Sequence, residues 1–241
     1  MNELSEYFTN AFSHSYKTKT PREYVFQQGD YRFSVLSPRI IRVEKDKKHI
    51  FTDEATQTVI CRDFDRPEFS ILQSGGKIVI KTEDITFCFD LAKGETESIT
   101  LKDGRIVTDF KTGNLKGTYR TLDMANGAVK LGDGLMSTNG VSVVDDAKTV
   151  IVCADGTMKA RRHVQKDEYY FAFGNDYRGC LQDFFKLCGA VPLVPRFCLG
   201  NWWSRYKAYS QQEYIDLMKE FLERDIPISV ATIDMDWHWV D

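Results

Sequence analysis

The sequence lacks the features that mark membrane, secreted and nucleic-acid-binding proteins. No window approaches about 18 consecutive apolar residues, so no segment is predicted to span a bilayer. Residues 1–20 contain no apolar run after a basic stretch, which argues against a secretory signal. Lys and Arg are nowhere clustered and the net charge is −3, so neither nucleic acid nor a membrane is predicted as a partner.

The cysteines form no metal-ligand pattern. No CxxC pair occurs, and no histidines stand nearby at the spacing of zinc ligands. Scattered cysteines of this kind favour free thiols in a reducing cytosol over disulfides or metal ligands, so we expect a cytoplasmic protein. The six are Cys61, Cys88, Cys153, Cys180, Cys188 and Cys198.

From about residue 24 to residue 173 the sequence has the periodicity of β-strands. β-Branched and aromatic residues alternate with polar ones, and turns such as 74–76 (SGG), 102–104 (KDG) and 154–156 (ADG) separate the runs. This pattern predicts antiparallel hairpins, and many short strands without helices between them predict a β-sandwich. The expected strands are 31–36, 40–44, 77–81, 85–89, 142–144, 150–152 and 169–173.

After Gly174 the period becomes helical. Residues 176–188 predict a helix with an apolar stripe, closed by Gly189, and the prolines that follow predict an extended connector to a strand over 197–203. The stripe is expected to contain Tyr177, Leu181, Phe184, Phe185 and Cys188.

A second helix begins at Ser210, where Glu213 completes a capping box, and a buried strand is expected over 228–233. The expected stripe of this helix contains Tyr214, Leu217, Met218, Phe221 and Leu222. Strand, helix and strand make one βαβ unit of a parallel sheet. We therefore expect a β-domain over 1–174, a helical linker over 175–196 and the start of a larger α/β domain over 197–241. A (β/α)8 barrel takes about 250 residues, so the chain is expected to be truncated. Its uncovered strand is expected to cause either association between copies or local disorder near the carboxyl end.

Acidic and aromatic residues are densest at the end of the second expected strand. Asp234 and Asp236 are two residues apart, so their side chains share one side of an extended segment. Three interpretations stay open: both aspartates form a turn beside core tryptophans; Asp234 accepts hydrogen bonds from a sugar hydroxyl pair over tryptophan faces; or the two are a catalytic pair. The last is disfavoured because a retaining pair must flank the anomeric centre from opposite sides.

A second cluster, 202–206 (WWSRY), falls at the end of the first expected strand. In parallel sheets the carboxyl ends of neighbouring strands meet at one edge, so Arg205 is expected beside Asp234. Arg205 could pair with a carboxylate there or contact substrate. The tryptophans could equally form the core of the domain.

These motifs, in this order, resemble glycoside hydrolase family 31, the α-glucosidase and α-xylosidase family. The resemblance covers most of residues 30–241 and depends on order and spacing rather than on one motif. The motifs are 117–123 (GTYRTLD), 134–140 (GLMSTNG), 144–146 (VDD), 199–206 (LGNWWSRY), 226–228 (IPI) and 233–237 (IDMDW).

The resemblance implies a galactose-mutarotase-like β-sandwich followed by a (β/α)8 barrel. It implies retaining hydrolysis of α-glycosides, α-glucosides first, by two aspartates without a metal or another cofactor. Asp234 would bind hydroxyls of the non-reducing sugar, Met235 would line the pocket, and Tyr206 would form another wall. The full substrate-binding set that we predict is Asp234, Met235, Tyr206, Asp236, Trp237, Arg205 and Asn139.

The same resemblance implies that the catalytic nucleophile and the acid/base come from later barrel strands, beyond Asp241. The chain is therefore expected to carry no catalytic residue and to be inactive alone. In the loop that would reach the site, Thr138 replaces a usual arginine and Asn139 a frequent acid. This loss of charge-assisted bonds, worth about 1.5–3 kcal/mol each, argues against sugar contact by the loop.

Two rival functions remain. In one, the sandwich is a non-catalytic carbohydrate-binding domain, and residues 176–241 are an appendage. In the other, the sandwich only supports a barrel and mediates contacts between copies.

Overall fold

The computed structural model describes residues 16–65, 67–118, 120–161, 164–191 and 193–235. The chain divides into two compact units, Met1–Ala190 and Val191–Asp241. The finer domain limits expected from the sequence stay a prediction. No helix among the described residues is long and apolar enough to cross a membrane.

β-Strands are the main regular elements of the first unit. They form two five-stranded antiparallel sheets and a separate two-stranded hairpin. The strands are β1 (Val25–Gln28), β2 (Tyr31–Ser37), β3 (Ile40–Lys45), β4 (Phe69–Ser74), β5 (Lys77–Thr82), β6 (Thr86–Asp90), β7 (Glu95–Thr100), β8 (Ile106–Val107), β9 (Val141–Asp145), β10 (Ile151–Val152), β11 (Met158–Lys159) and β12 (Lys166–Ala172).

The first sheet has the order β1-β2-β3-β12-β9, and the second is a meander from β4 to β8. All of their pairs are antiparallel, as the sequence predicts. Turns expected from Gly75, Gly104 and Gly156 lie between β4 and β5, between β7 and β8, and between β10 and β11, each with its glycine at positive φ. A mainly β fold is therefore confirmed.

The two five-stranded sheets share one apolar core. Residues of β2, β3 and β12 contact residues of β5, β6 and β7 in a single cluster of buried side chains. The Phe33 and Phe89 rings meet edge to face with centroids 5.1 Å apart, and Phe87 meets Tyr170 at 5.3 Å. Edge-to-face pairs of buried aromatics contribute about 0.5–1.5 kcal/mol beyond their burial.

A helix covers part of the other face of the first sheet. This helix, α1 (Tyr177–Cys188), starts at Asp176, whose carboxylate accepts the Gly179 backbone N–H at 3.0 Å. It buries Cys180 and Leu187 in a second apolar cluster. The predicted apolar stripe is wrong at Tyr177 and Leu181, which are 36% and 39% exposed, whereas Phe184 packs against this cluster as predicted. The sequence has apolar residues around much of the helix, so contact with the sheet decides which face is buried.

The rest of that face carries buried charges. Arg42 Nε donates to Asp167 Oδ1 at 2.7 Å, and its Nη2 lies 3.0 Å from Glu44 Oε1. Arg161 Nη2 lies 2.6 Å from Asp167 Oδ2. These carboxylates are at most 3% exposed, so the ion pairs are held away from water. The polar residues that alternate with apolar ones in β2 and β3 therefore do not face solvent but lie buried on this side of the sheet.

The second unit contains one strand–helix–strand segment. Its elements are β13 (Trp202–Trp203), α2 (Gln211–Glu223) and β14 (Val230–Ala231), and the strands are parallel, as predicted. The expected strand over 197–203 is wrong in its first half, where Arg196–Leu199 forms a 3₁₀ turn. Pro195 precedes that turn and its carbonyl accepts the Cys198 N–H at 3.0 Å, which favours the turn over an extended chain.

Candidate substrate-binding site

The candidate site lies at the carboxyl ends of β13 and β14. Trp202 pairs with Val230, and Trp203 pairs with Ala231. The Thr232 N–H donates to the Trp203 carbonyl at 2.9 Å, so the pairing continues one residue beyond the strands. Because the strands are parallel, the segments that begin at Ser204 and Thr232 leave the same edge of the sheet, where ligands of α/β folds bind.

Close contacts between residues 200–201 and 227–230 hold the amino ends of these strands. A Cβ added to Gly200 would lie 1.9 Å from Ser229 Oγ, so no larger residue fits without movement. The Asn201 carbonyl accepts the N–H groups of Ser229 and Val230 at 2.9 and 3.3 Å. The Asn201 amide donates to the Pro227 carbonyl at 3.0 Å, which fixes the entry into β14.

Helix α2 is capped at its first turn and packs against β13 through an aromatic side chain. The Ser210 hydroxyl accepts the Glu213 N–H, and the Glu213 carboxylate accepts the Ser210 N–H at 2.8 Å, which completes the predicted capping box. This backbone hydrogen bond lowers the pKa of Glu213. The Phe221 ring packs on Trp203 with centroids 4.8 Å apart. Leu222, expected in the apolar stripe, is 78% exposed.

Tyr214 has a role that periodicity alone could not assign. It was predicted only as part of the apolar stripe, but its hydroxyl donates to the Thr232 carbonyl at 2.7 Å. Burial raises the pKa of this phenol. The bond anchors the chain two residues before Asp234. An aromatic residue with a polar tip on the apolar face of a helix is the only sequence signal for it.

The predicted site residues of this unit face solvent. Tyr206 is 78% exposed, Arg205 and Asp234 are exposed, and Met235 is half-buried. Within the described residues, neither the Arg205 guanidinium nor the Asp234 carboxylate has a hydrogen bond or ion pair. Both therefore remain available for hydroxyl groups of a ligand. Two further predicted members, Asp236 and Trp237, lie outside the described residues.

Asn139 belongs to the first unit, and its amide is engaged within its own loop. Its Nδ2 donates to the carbonyls of Asp109 and Thr112, both at 2.8 Å, and its Oδ1 accepts the Ser137 hydroxyl at 2.6 Å. The Thr112 hydroxyl and backbone N–H groups lower the pKa of Asp109 in the same loop. A sugar contact by Asn139 would compete with these bonds and stays a prediction.

The motif 144–146 (VDD) also has a structural role in the first unit. Asp146 is fully buried, and its Oδ2 accepts the Thr56 hydroxyl at 2.8 Å. Burial raises the pKa of Asp146. The six cysteines are free thiols, and no group of three metal-ligating side chains occurs among the described residues.

Comparison with known proteins agrees with this geometry. Residues 191–241 match the TIM-barrel domain of glycosyl hydrolases family 31. The chain is 36% identical over 75 residues to an alpha-xylosidase of Saccharolobus solfataricus, a match covering 31% of this chain and 10% of the relative. It is 33% identical over 70 residues to alpha-glucosidase 2 of Bacillus thermoamyloliquefaciens, covering 29% of this chain and 9% of that protein. The matches thus span about a tenth of the length of these relatives.

Solved structures share the fold over most of the chain. A Flavobacterium johnsoniae GH31 dextranase has a TM-score of 0.56 at 17% identity, covering 89% of this chain and 32% of that one. A GH31 alpha-xylosidase from a soil metagenome has a TM-score of 0.52 at 12% identity, covering 90% of this chain and 41% of that one. At these identities the similarity shows fold alone. The barrel-domain match over residues 191–241 and the curated relatives make this chain similar to members of glycosyl hydrolase family 31.

Proposed function

We propose that the chain is the amino-terminal part of a retaining α-glycosidase that releases terminal α-linked sugars, α-glucosides first. The observation that carries the proposal is the exposed carboxylate of Asp234, which follows the carboxyl end of β14. Arg205 and Tyr206 follow the carboxyl end of β13, and because the two strands are parallel these ends lie at the same edge of the sheet. Relatives named alpha-xylosidase and alpha-glucosidase support the reaction class.

In this proposal the strand-end residues recognise the sugar and do not cleave it. A carboxylate that accepts two sugar hydroxyls makes charge-assisted bonds worth about 1.5–3 kcal/mol each. Tyr206 and Trp237 supply apolar faces for the ring. Asp234 and Asp236 are only two residues apart in the sequence, whereas a retaining pair faces the anomeric centre from both sides about 5–5.5 Å apart. The nucleophile and the acid/base would therefore come from later strands.

The proposal includes an architecture finer than a mainly β fold. The two sheets of the first unit would be a galactose-mutarotase-like sandwich, and β13, α2 and β14 would open a (β/α)8 barrel. The shared core of the sheets and the family match of residues 191–241 support these two parts. We also propose a cytoplasmic location, which rests on the scattered free thiols.

The first test is turnover of an aryl α-glucoside and an aryl α-xyloside by the purified 241-residue chain. We expect no hydrolysis, because the chain would hold recognition residues without the cleaving pair. Turnover that disappears in Asp234→Ala would overturn the inactivity and assign Asp234 to catalysis. Turnover that survives Asp234→Ala would point to a contaminating enzyme or another site.

A sharper test uses a polypeptide that carries this segment together with a full barrel. Asp234→Asn keeps the size of the side chain and removes its charge, so kcat/KM should fall by about 10–150-fold, the equivalent of one charge-assisted bond. Asp216→Asn, on the exposed side of α2, is the matched control and should leave kcat/KM unchanged. Equal values for wild type and Asp234→Asn would remove Asp234 from the site.

One observation favours the rival carbohydrate-binding function. A cleft of about 360 Å³ in the first unit is lined by Phe110, Tyr170 and three carboxylates, Glu95, Asp109 and Glu168. The Tyr170 hydroxyl donates to Glu168 Oε2 at 2.7 Å. Calorimetric titration with maltose and isomaltose separates the functions. Saturable binding abolished by Glu168→Gln but not by Asp234→Asn would establish the rival.

A further inference from the structure

The sequence contains two Asn-Gly pairs, Asn126-Gly127 and Asn139-Gly140. In such a pair the backbone nitrogen of the glycine can attack the side-chain carbonyl carbon of the asparagine, because glycine has no Cβ atom to obstruct the approach. The attack closes a succinimide ring and requires both groups to be free to move. The two pairs are therefore close to equivalent in an unfolded chain, and the fold decides which of them can react.

The second pair is held at both of its reacting groups. Asn139 Nδ2 donates to the carbonyls of Asp109 and Thr112, both at 2.8 Å. Its Oδ1 accepts the Ser137 hydroxyl at 2.6 Å, and the Gly140 N–H donates to the Ser137 carbonyl at 3.1 Å. A Cβ atom added to Gly140 would lie 2.7 Å from the nearest backbone atom, so this glycine is closely packed. Ring closure there would first have to break these hydrogen bonds and displace the loop.

The first pair lies in an exposed segment. Residues 120–128 are all exposed to solvent. Among the described residues, neither the Asn126 amide nor the Gly127 N–H has a hydrogen-bond partner. A Cβ atom added to Gly127 would meet no atom within 4 Å. Both reacting groups are therefore free to approach each other.

The loop that carries this segment is fixed at its base. Gly117 and Gly132 each donate their N–H to the carbonyl of the other, at 3.1 and 2.9 Å. The segment 120–128 can therefore change conformation while these two hydrogen bonds stay intact. Movements of exposed loop tips cost little free energy compared with opening of a core. A reaction that needs only such a movement can proceed in the folded chain.

We propose that Asn126 is a site of spontaneous deamidation in the folded chain and that Asn139 is protected from the same reaction. The Gly127 nitrogen forms a bond to Asn126 Cγ and loses its proton to solvent, while the bond from Cγ to Nδ2 breaks and ammonia leaves. Water then opens the succinimide at either of its carbonyl groups, which gives aspartate or isoaspartate. The whole reaction consumes one water and releases one ammonia, and no atom is oxidised or reduced.

The product changes both the charge and the backbone of the loop. A new carboxylate lowers the net charge of −3 by one unit. Isoaspartate also adds one methylene group to the backbone, for which the open space around Gly127 leaves room. The modification needs no enzyme and does not depend on sugar binding.

The first experiment is incubation of the purified 241-residue chain at neutral and mildly alkaline pH in water enriched in heavy oxygen, followed by peptide mass spectrometry. The label marks carboxylates formed during the incubation and separates them from those formed during digestion in ordinary water. We expect labelled product in the Asn126 peptide at least about tenfold faster than in the Asn139 peptide, because the latter must first lose its hydrogen bonds. Both rates should rise with pH, because the deprotonated glycine nitrogen is the attacking species.

The second experiment repeats the incubation in concentrated urea. Unfolding removes the hydrogen bonds of Asn139, so the two rates should become nearly equal. Asn126→Gln should remove the acidic form that ion-exchange chromatography detects after incubation of the folded chain, because the longer side chain closes a less favourable ring. Asn175→Gln is the matched control, since it makes the same change at an exposed position without a following glycine, and it should keep that form.

Equal rates at Asn126 and Asn139 in the folded chain, or no product at Asn126, would overturn the proposal. So would a ratio of rates that urea leaves unchanged, because the fold would then not be what protects Asn139. An acidic form that persists in Asn126→Gln would place the main modification elsewhere and refute the assignment.

Discussion

The two units of the chain differ in how much of themselves they bury. The first contains sixteen apolar residues in one buried cluster shared by two sheets, with eight more in a second cluster between α1 and the first sheet. In the second, no residue among 191 and 193–235 is buried. Large apolar side chains there stay open to solvent, as in Leu193 at 98% and Leu199 at 77%. Burial is the main stabilising term in folding, so the first unit holds a core of its own and the second relies on local contacts.

The difference in burial affects the proposed recognition residues. The proposed recognition residues Arg205, Tyr206 and Asp234 all belong to the unit with little burial. Their positions depend on a capping box, one aromatic pair and a two-residue strand ladder. A binding site needs rigid support for its side chains. The sandwich-like unit is therefore expected to be the stable part and the strand ends the adaptable part.

The largest expected effect comes from opening the shared core. Phe87→Ala should lower the free energy of unfolding by about 3–5 kcal/mol, because Phe87 is fully buried between the sheets. All four tryptophans lie in residues 191–241, so their fluorescence reports the second unit while far-UV circular dichroism reports mainly the strands of the first. We expect the dichroism transition to shift and the fluorescence transition to stay.

Phe221→Ala is the matched change in the second unit. It removes a half-buried ring and should shift the fluorescence transition alone. If both signals move together in both variants, the two units unfold as one, and the comparison between them fails.

Removing one buried charge should also destabilise the first unit strongly. Asp167→Asn leaves Arg42 and Arg161 without their shared carboxylate, which should cost about 3–5 kcal/mol in urea denaturation. Asp103→Asn, at an exposed pair with Arg105, should leave stability almost unchanged. Similar losses from both changes would show that burial of the network is unimportant.

The same carboxylate predicts a pH dependence. Burial alone would raise the pKa of Asp167, but the guanidinium groups of Arg42 and Arg161 outweigh it and hold that pKa below the ordinary 3.8. The stabilisation is therefore present above pH 3.8 and is lost as the pH falls through the lower folded-state pKa. In Asp167→Asn the free energy of unfolding should fall less steeply as the pH is lowered. An unchanged fall would show that other groups cause the loss of stability in acid.

A smaller effect is expected in the loop that contains Asn139. Asn139→Ala removes two donated and two accepted hydrogen bonds, so it should cost about 1–2 kcal/mol and increase amide exchange around residues 109–113. Thr138→Ala removes a single 3.3 Å bond from an exposed side chain and should have little effect. Faster exchange in Thr138→Ala than in Asn139→Ala would contradict the structural role of the amide.

The smallest expected effect is at the start of α2. Ser210→Ala should destabilise the second unit by about 1 kcal/mol through loss of the capping box. Tryptophan fluorescence should detect the change and strand dichroism should not. Ser204→Ala, at an exposed position outside the helix, is the control. An effect of Ser210→Ala on the first unit would show that the two units are coupled.

Local sequence signals predicted the local structure well. The hairpin glycines, the Asp176 and Ser210 helix starts and the parallel β13–β14 pair follow from turn chemistry, capping and periodicity. Strands β4 and β7 were not predicted. Their runs FSILQS and ETESIT are rich in polar residues, and pairing with the apolar strands β5 and β6 makes them strands.

Features fixed by tertiary contact could not be predicted in the same way. The buried arginines of β2 and β3 look like solvent-facing positions in the sequence, and only segments from elsewhere in the chain bury them. Arg42, for example, pairs with Asp167, which is 125 residues away. The orienting bond from Tyr214 to Thr232 likewise needs the helix and the strand in contact. The order of the motifs indicated the resemblance to a family, but it did not predict this ion pair or this hydrogen bond.

Gly200 shows how little separates the two strands. Any side chain there would meet the Ser229 hydroxyl, so the spacing of β13 and β14 depends on the absence of a single carbon atom. Adding that carbon would force Ser229, the residue before β14, to move. A methyl group far from the candidate site would then act on it only through the backbone.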